Sequence, residues 1–134
     1  MAEPPVPPDA SPAQLAAILN RARRQAVEQH PPGLYEQALE WLDHPDENVR
    51  QEAIHFLGRH FRQRRDAQVL LEMVVADAGA AVRKAAADCL GGVFRATRNR
   101  EVNEVLATAA RNPQEEAPVR TAAYAAIRRI NGYG

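Results

Sequence analysis

The sequence is poor in most of the residues on which disulfide scaffolds, strands and metal sites are built. It holds a single cysteine, Cys89, so no disulfide can close within the chain, and a lone thiol fits a reducing compartment. Aromatic residues are 5% of the 134, and no run alternates β-branched or aromatic residues with polar ones, which removes the signature of strands. Nothing approaches the roughly 18 uncharged apolar residues of a membrane span. The most apolar stretch, Val69 to Val82, contains Glu72 and Asp77. The first ten residues lack both a basic segment and an apolar one, so no secretory signal is read there and a soluble, cytoplasmic protein is expected. Lysine is nearly missing, Lys84 being the only one among 17 basic residues, and 17 acidic residues balance them. A chain of zero net charge lacks the global positive field of a dedicated nucleic-acid binder.

What the chain has in quantity is alanine, within a hydrophobic fraction of 46%. Alanine loses no side-chain entropy in a helix and lets helices approach closely, so the composition points to an all-α fold. Residues 1–10 carry a Pro-Pro-Val-Pro-Pro run, which offers a helix neither donors nor an apolar face; a disordered tail is expected there. Residues 11–134 are expected to form a single domain. Ser11-Pro12-Ala13-Gln14 is a capping box with proline at the first helical position. It opens an extra helix, expected over 12–29, with Leu15, Ile18, Leu19, Ala22 and Ala26 as its apolar stripe.

Three segments then align without gaps: Val49-Arg50-Gln51-Glu52-Ala53-Ile54-His55-Phe56-Leu57, Val82-Arg83-Lys84-Ala85-Ala86-Ala87-Asp88-Cys89-Leu90 and Val119-Arg120-Thr121-Ala122-Ala123-Tyr124-Ala125-Ala126-Ile127. Offsets of 0, +4 and +8 put the valine, the alanine and the Leu or Ile of each on one helical stripe. The valines lie 33 and 37 residues apart, the length of a helical hairpin. A second pattern precedes each core: Leu34, Ala38, Leu39 and Leu42; then Leu70, Leu71, Val74 and Val75; then Val102, Val105, Leu106 and Ala109. Turn residues separate the paired helices at Asp43-His44-Pro45-Asp46, Asp77-Ala78-Gly79 and Asn112-Pro113-Gln114. Asp66 and Asn99 are plausible N-caps between repeats. The repeats thus span about 34–64, 66–97 and 99–132.

The pattern Leu42-Asp43-x-Pro45-Asp46-x-x-Val49-Arg50-x-x-Ala53-x-x-x-Leu57-Gly58 resembles the HEAT repeat, and in particular the short bacterial HEAT-like units related to phycobilisome lyase repeats. The second repeat keeps Val82-Arg83, Ala86, Leu90 and Gly91; the third lacks the glycine after Ile127 and has Pro118 before its valine. The resemblance implies a short right-handed α-solenoid of three hairpins with an N-terminal capping helix. It also implies that the arginine after each valine binds an acid or carbonyl of a turn, with Asp46, Asp77 and Glu116 as candidate partners of Arg50, Arg83 and Arg120.

No residue set points to catalysis. HEAT-like deoxyhypusine hydroxylases hold iron through His-Glu pairs, and no His-Glu dipeptide occurs here. His55 and His60 differ in direction by about 140° on a helix, which suits no shared metal. Cys89 reads as a packed thiol, and Gly91-Gly92 falls near a helix end rather than before a helix, so no phosphate loop is formed. No enzyme activity, cofactor or metal is expected.

Surface remains. Stacked hairpins set equivalent residues of their second helices in rows on a concave face. The expected partner-binding residues are Gln51, His55, Arg59 and Arg62 in the first repeat, Lys84, Asp88 and Arg95 in the second, and Arg129 in the third. Basic residues gather toward the C-terminal ends of these helices, where Arg64, Arg65, Arg98, Arg100 and Arg128 join them. Helix dipoles alone favour cations at such ends, by roughly 0.3 to 1 kcal/mol each. The function expected is a non-catalytic protein-binding adaptor or scaffold whose partner is a protein with an acidic surface. The alternative is a nucleic-acid binder that uses the same basic edge for phosphates. No membrane partner is expected.

Overall fold

Each apolar stripe of the repeat finds a helix to bury itself against. The computed structural model describes residues 6–7, 9–60 and 64–133; its seven α-helices are accompanied by no strand among the described residues. They are α1 (Pro12–Arg23), α2 (Leu34–Trp41), α3 (Glu47–His60), α4 (Val69–Ala76), α5 (Ala80–Val93), α6 (Arg100–Arg111) and α7 (Ala117–Ile130). Short 3-10 turns occupy Val27–Gln29 and Arg64–Ala67. The chain is all-α, built of the helical hairpins of a short α-solenoid. Its helices fall into two compact units, Met1–His60 and Phe61–Gly134.

In the first unit the capping box forms in full: the Gln14 amide donates to Ser11 Oγ at 3.2 Å, and the Ser11 amide donates to Gln14 Oε1 at 2.7 Å. Leu15, Leu19 and Ala22 are buried. The helix stops at Arg23 rather than continuing to 29, and Ala26 is extended and exposed. His30 supplies the reason. Its Nε2 lies 2.6 Å from the Ala22 carbonyl and 3.1 Å from that of Gln25, so a side-chain donor takes up carbonyls that further helix would have used. Both neighbours are acceptors, which places the proton on Nε2. Helix α1 packs chiefly on α3, as does α2. The Asn20 amide links α1 to Glu52 of α3 at 3.4 and 3.5 Å. Asp46 caps α3, accepting from the Val49 amide at 3.2 Å. Val49, Ala53 and Leu57 are fully buried, as the stripe predicts. Val6 is buried too, whereas Pro7 and Asp9 are exposed.

In the second unit α4 packs on α5 and α6, and α7 packs on both α5 and α6. Val82, Ala86 and Leu90 are fully buried, as are Val119 and Ala123. The third stripe then slips: Ala126 and Ile130 are fully buried and Ile127 only half so. The expected α4 stripe is corrected at Val75, which is 62% exposed, while Met73 takes the inner place. Period alone could not choose between them in a run where every residue from Val69 to Val75 but Glu72 is apolar. Asp66 does not cap α4. It lies inside the Arg64–Ala67 turn, and Gln68 precedes the helix. Asn99 does cap α6, accepting from the Val102 amide at 3.1 Å.

Gly91 sets how closely α5 and α7 approach. A Cβ there would stand 2.9 Å from both Cα and Cβ of Ala126, closer than real carbon contacts allow. Alanines on α7 and a glycine on α5 therefore bring the two backbones together, which explains why the repeat is rich in small residues.

Candidate functional site

The site is assembled in the second unit from α5, α7 and the segment joining α5 to α6. The conserved-spacing arginine of the repeat acts first as a fastener between turns. Arg83 donates from Nη1 to the Asp77 carbonyl at 2.8 Å, and from Nε and Nη2 to the two carboxylate oxygens of Glu115, both at 2.9 Å. This two-pronged pair joins α5 to the turn before α7 and is well shielded, with side chains 16% and 7% exposed. The Arg83 bond holds the Glu115 carboxyl below the usual glutamate range, and the same bond raises the guanidinium. Glu115 was missed in the sequence, where Asp77 and Glu116 were the nearest acids in register. Asp77 serves instead through its carbonyl. In the first unit Arg50 donates to the carbonyls of His44 and Pro45 at 2.9 and 3.0 Å. Arg120 differs again: its Nε is buried and has no hydrogen-bond partner.

Beside this fastener lies an open groove of about 500 Å³ lined by Lys84 and Asp88 of α5 and by Ala117, Pro118, Thr121, Ala122 and Ala125 of α7. Lys84 and Asp88, both expected at the site, lie together on its wall and form an ion pair of 3.2 Å. Apart from that pair, the groove is lined by small apolar and hydroxyl groups rather than by arginines.

The arginines gather at the other end of the two helices. Beyond α5, the Ala96 amide donates to the Arg129 carbonyl and the Arg98 amide to the Ile130 carbonyl, each at 2.9 Å. Those carbonyls lie at the C-terminus of α7, where helical partners run out. Ala96 and Arg98 take left-handed φ values of 59° and 57° to make these bonds. Non-glycine residues adopt that conformation at a cost of order 1 kcal/mol each, so the pairing determines the path. It carries Arg95 and Arg98, both exposed, to the end of α7 that bears exposed Arg128 and half-buried Arg129. Gly132, with φ of 84°, closes the helix: the Tyr133 amide reaches the Arg128 carbonyl and the Gly132 amide that of Arg129.

In the first unit Gln51 and His55 are half-buried on α3 and Arg59 is exposed in its last turn. Arg62 lies outside the described residues. His60 packs against His30 and Phe56, with ring centroids 4.6 and 5.0 Å away. Burial, followed by the charges of His30 and Arg59, pushes its imidazole below the usual histidine value. Cys89 is pushed up to about 12, mainly by burial and further by Asp88, so it is a thiol with no nucleophilic character near neutrality. Among the described residues no group of three or more His, Cys, Asp or Glu is placed to hold a metal.

Comparison with known families agrees with this architecture. A family model described as HEAT repeats matches residues 9–91, more than half of the chain. The chain belongs to the HEAT-repeat family. The match begins before α1 and runs into the last turns of α5. Within the two units α1 lies on α3 and α5 lies on α7. No curated protein and no solved structure matches the chain. No helix among the described residues is long and apolar enough to cross a membrane.

Proposed function

We propose that this HEAT-repeat chain is a non-catalytic adaptor, cytoplasmic in location, that binds a partner protein along the second-helix face of its repeats. The α5/α7 groove supports this reading most directly. It is open, it lies on the face where repeat proteins present equivalent residues, and its alanines, proline and threonine suit a protein segment better than a small polar substrate. Lys84 and Asp88 at its wall supply one group of each sign for orienting hydrogen bonds, while Arg95 follows the end of α5 and Arg129 lies in the last turn of α7. Gln51, His55, Arg59 and Arg62 are the counterpart residues of the first repeat. Rigid helices lose little entropy on binding, which raises the affinity obtained from a modest contact area.

Ala125→Arg tests the proposal, because Ala125 is half-buried in the groove and an arginine would fill it. Proteins captured from the native extract by the wild type and lost by this folded variant would identify groove ligands. If the two forms retain the same set, the groove is not the site.

One observation favours a second reading. The Ala96–Arg129 and Arg98–Ile130 bonds collect four arginines at one end of the second unit, an arrangement that suits a phosphate backbone. A salt titration separates the readings. Nucleic-acid affinity falls steeply with ionic strength through counterion release, and affinity for a protein in the groove falls much less.

A further inference from the structure

Arg83 and Arg120 occupy one position in successive repeats and meet opposite circumstances. Arg83 holds both oxygens of Glu115, whereas the buried Nε of Arg120 has no partner. Glu115 lies within electrostatic reach of Arg120 but is already committed to Arg83. Arg120 instead lines an open depression of about 310 Å³ together with Ala110, Ala117, Thr121 and Tyr124. A buried donor without an acceptor is unfavourable and rare in stable proteins, so the Arg120 fork is open to an acceptor from outside the chain.

The residues beside Arg120 change in a consistent way. Where α5 has Ala87, fully buried, α7 has Tyr124, 62% exposed. Where α5 has Gly91, tight against Ala126, α7 has exposed Arg128. Arg120, Tyr124 and Arg128 follow one another at four-residue spacing and so form one stripe of the helix. Bulk at these two positions prevents a helix from lying as close to α7 as α7 lies to α5. The flank thus keeps the carboxylate-binding arginine of the repeat, is positive at both ends of its stripe, and carries the residue types that dominate protein interfaces.

We infer that the α7 flank is a second protein-binding surface, on which a partner protein seats an aspartate or glutamate against Arg120 and packs an apolar side chain on Tyr124. The carboxylate takes the two-pronged place that Glu115 takes on Arg83, and acidic neighbours in the partner face Arg128. The inference rests on the adaptor reading only in that the occupant is a protein; Ala125→Arg alters the groove and leaves Arg120 and Tyr124 in place, so the two can fail separately.

A helix-forming peptide library selected on the full chain provides the probe. Enriched peptides should share an acidic residue at one position, with apolar residues beside it. Their affinity should fall roughly tenfold or more in Arg120→Met and in Tyr124→Ala, and only partly in Arg120→Lys, which keeps charge but not the fork. Ala125→Arg should bind them unchanged. Arg120→Met removes a buried Nε that has no hydrogen-bond partner to lose, so circular dichroism should report an intact fold. In nuclear magnetic resonance spectra the Arg120 Nε–H signal should move when peptide is added. Enriched peptides without a shared carboxylate, or peptides that bind Arg120→Met as well as wild type, would overturn the assignment. So would concentration-dependent self-association abolished by Arg120→Met, which would make the occupant a second copy, or a shift of the same signal by a poly-thymidine oligonucleotide in place of peptide.

Discussion

Replacing each of the adjacent glycines of α5 by alanine separates tertiary packing from intrinsic helix preference. Gly91 and Gly92 lie in the same last turns of one helix, so both substitutions gain a similar helix-propensity term, up to about 1 kcal/mol. Their surroundings differ. A Cβ on Gly92 meets nothing within 4 Å, while one on Gly91 lands 2.9 Å from backbone and side-chain carbons of Ala126. The obstacle includes a backbone atom, so relief requires α5 and α7 to move apart along an interface whose alanines are fully buried. Overpacking of this kind costs about 1 to 3 kcal/mol. Gly92→Ala should therefore be more stable than wild type by up to about 1 kcal/mol, since only the propensity term acts. Gly91→Ala should range from neutral to about 2 kcal/mol less stable, because the clash offsets and then exceeds the same gain. Urea unfolding followed by far-ultraviolet circular dichroism is the suitable assay, since the single tryptophan, Trp41, lies in the other unit. Equal midpoints for the two variants, or a Gly91→Ala protein more stable than Gly92→Ala, would refute the close approach of α5 and α7.

The remaining predictions concern the fastener, the core and the titrating groups. Arg83→Met should cost about 2 to 4 kcal/mol in the same assay, because it strands the shielded Glu115 carboxylate, whereas Arg120→Met should leave the midpoint near wild type. Ala86→Leu should cost about 1 to 3 kcal/mol, since Ala86 is fully buried at the centre of its stripe, and an unchanged midpoint would mean the stripe is misplaced. His60 is held below its ordinary 6.5, so as pH falls below 6.5 the unfolded chain binds the proton first and stability drops; His60→Gln should flatten that decline in urea midpoints. Glu115, held below its ordinary 4.5, adds stability above that value and loses it as pH falls through the folded value, a step that Arg83→Met should shrink by removing its largest cause. Cys89, with its thiol raised to about 12, should resist maleimide at neutral pH in the native protein and react on unfolding, as read by mass spectrometry.

The sequence by itself determined the local grammar of this chain. The 0, +4, +8 stripes, the Ser11 capping box and the Asn99 cap were legible because each depends on residues within two turns of one another; all stand in the structure except the end of the third stripe, where Ala126 and Ile130 are buried in place of Ile127. So was the HEAT family, since the Val-Arg-x-x-Ala core recurs at hairpin intervals. What spacing could not determine was which neighbour a residue meets across helices. The side-chain partner of Arg83 proved to be Glu115, 32 residues on, rather than an acid of its own turn. The end of α1 was decided by His30, whose ring reaches back to the Ala22 and Gln25 carbonyls after the chain turns. Val75 and Met73 exchanged roles in an apolar helix because burial there follows from what packs against α4. The joining of the Arg95–Arg98 segment to the end of α7 depends on two backbone bonds between residues more than thirty apart. Tyr124 and Arg128 were plain in the aligned repeats, but their meaning was not. Ala87 and Gly91 are small because α7 lies against them, and only the packed helices reveal that α7 carries bulk and charge at the two positions where its predecessor carries neither.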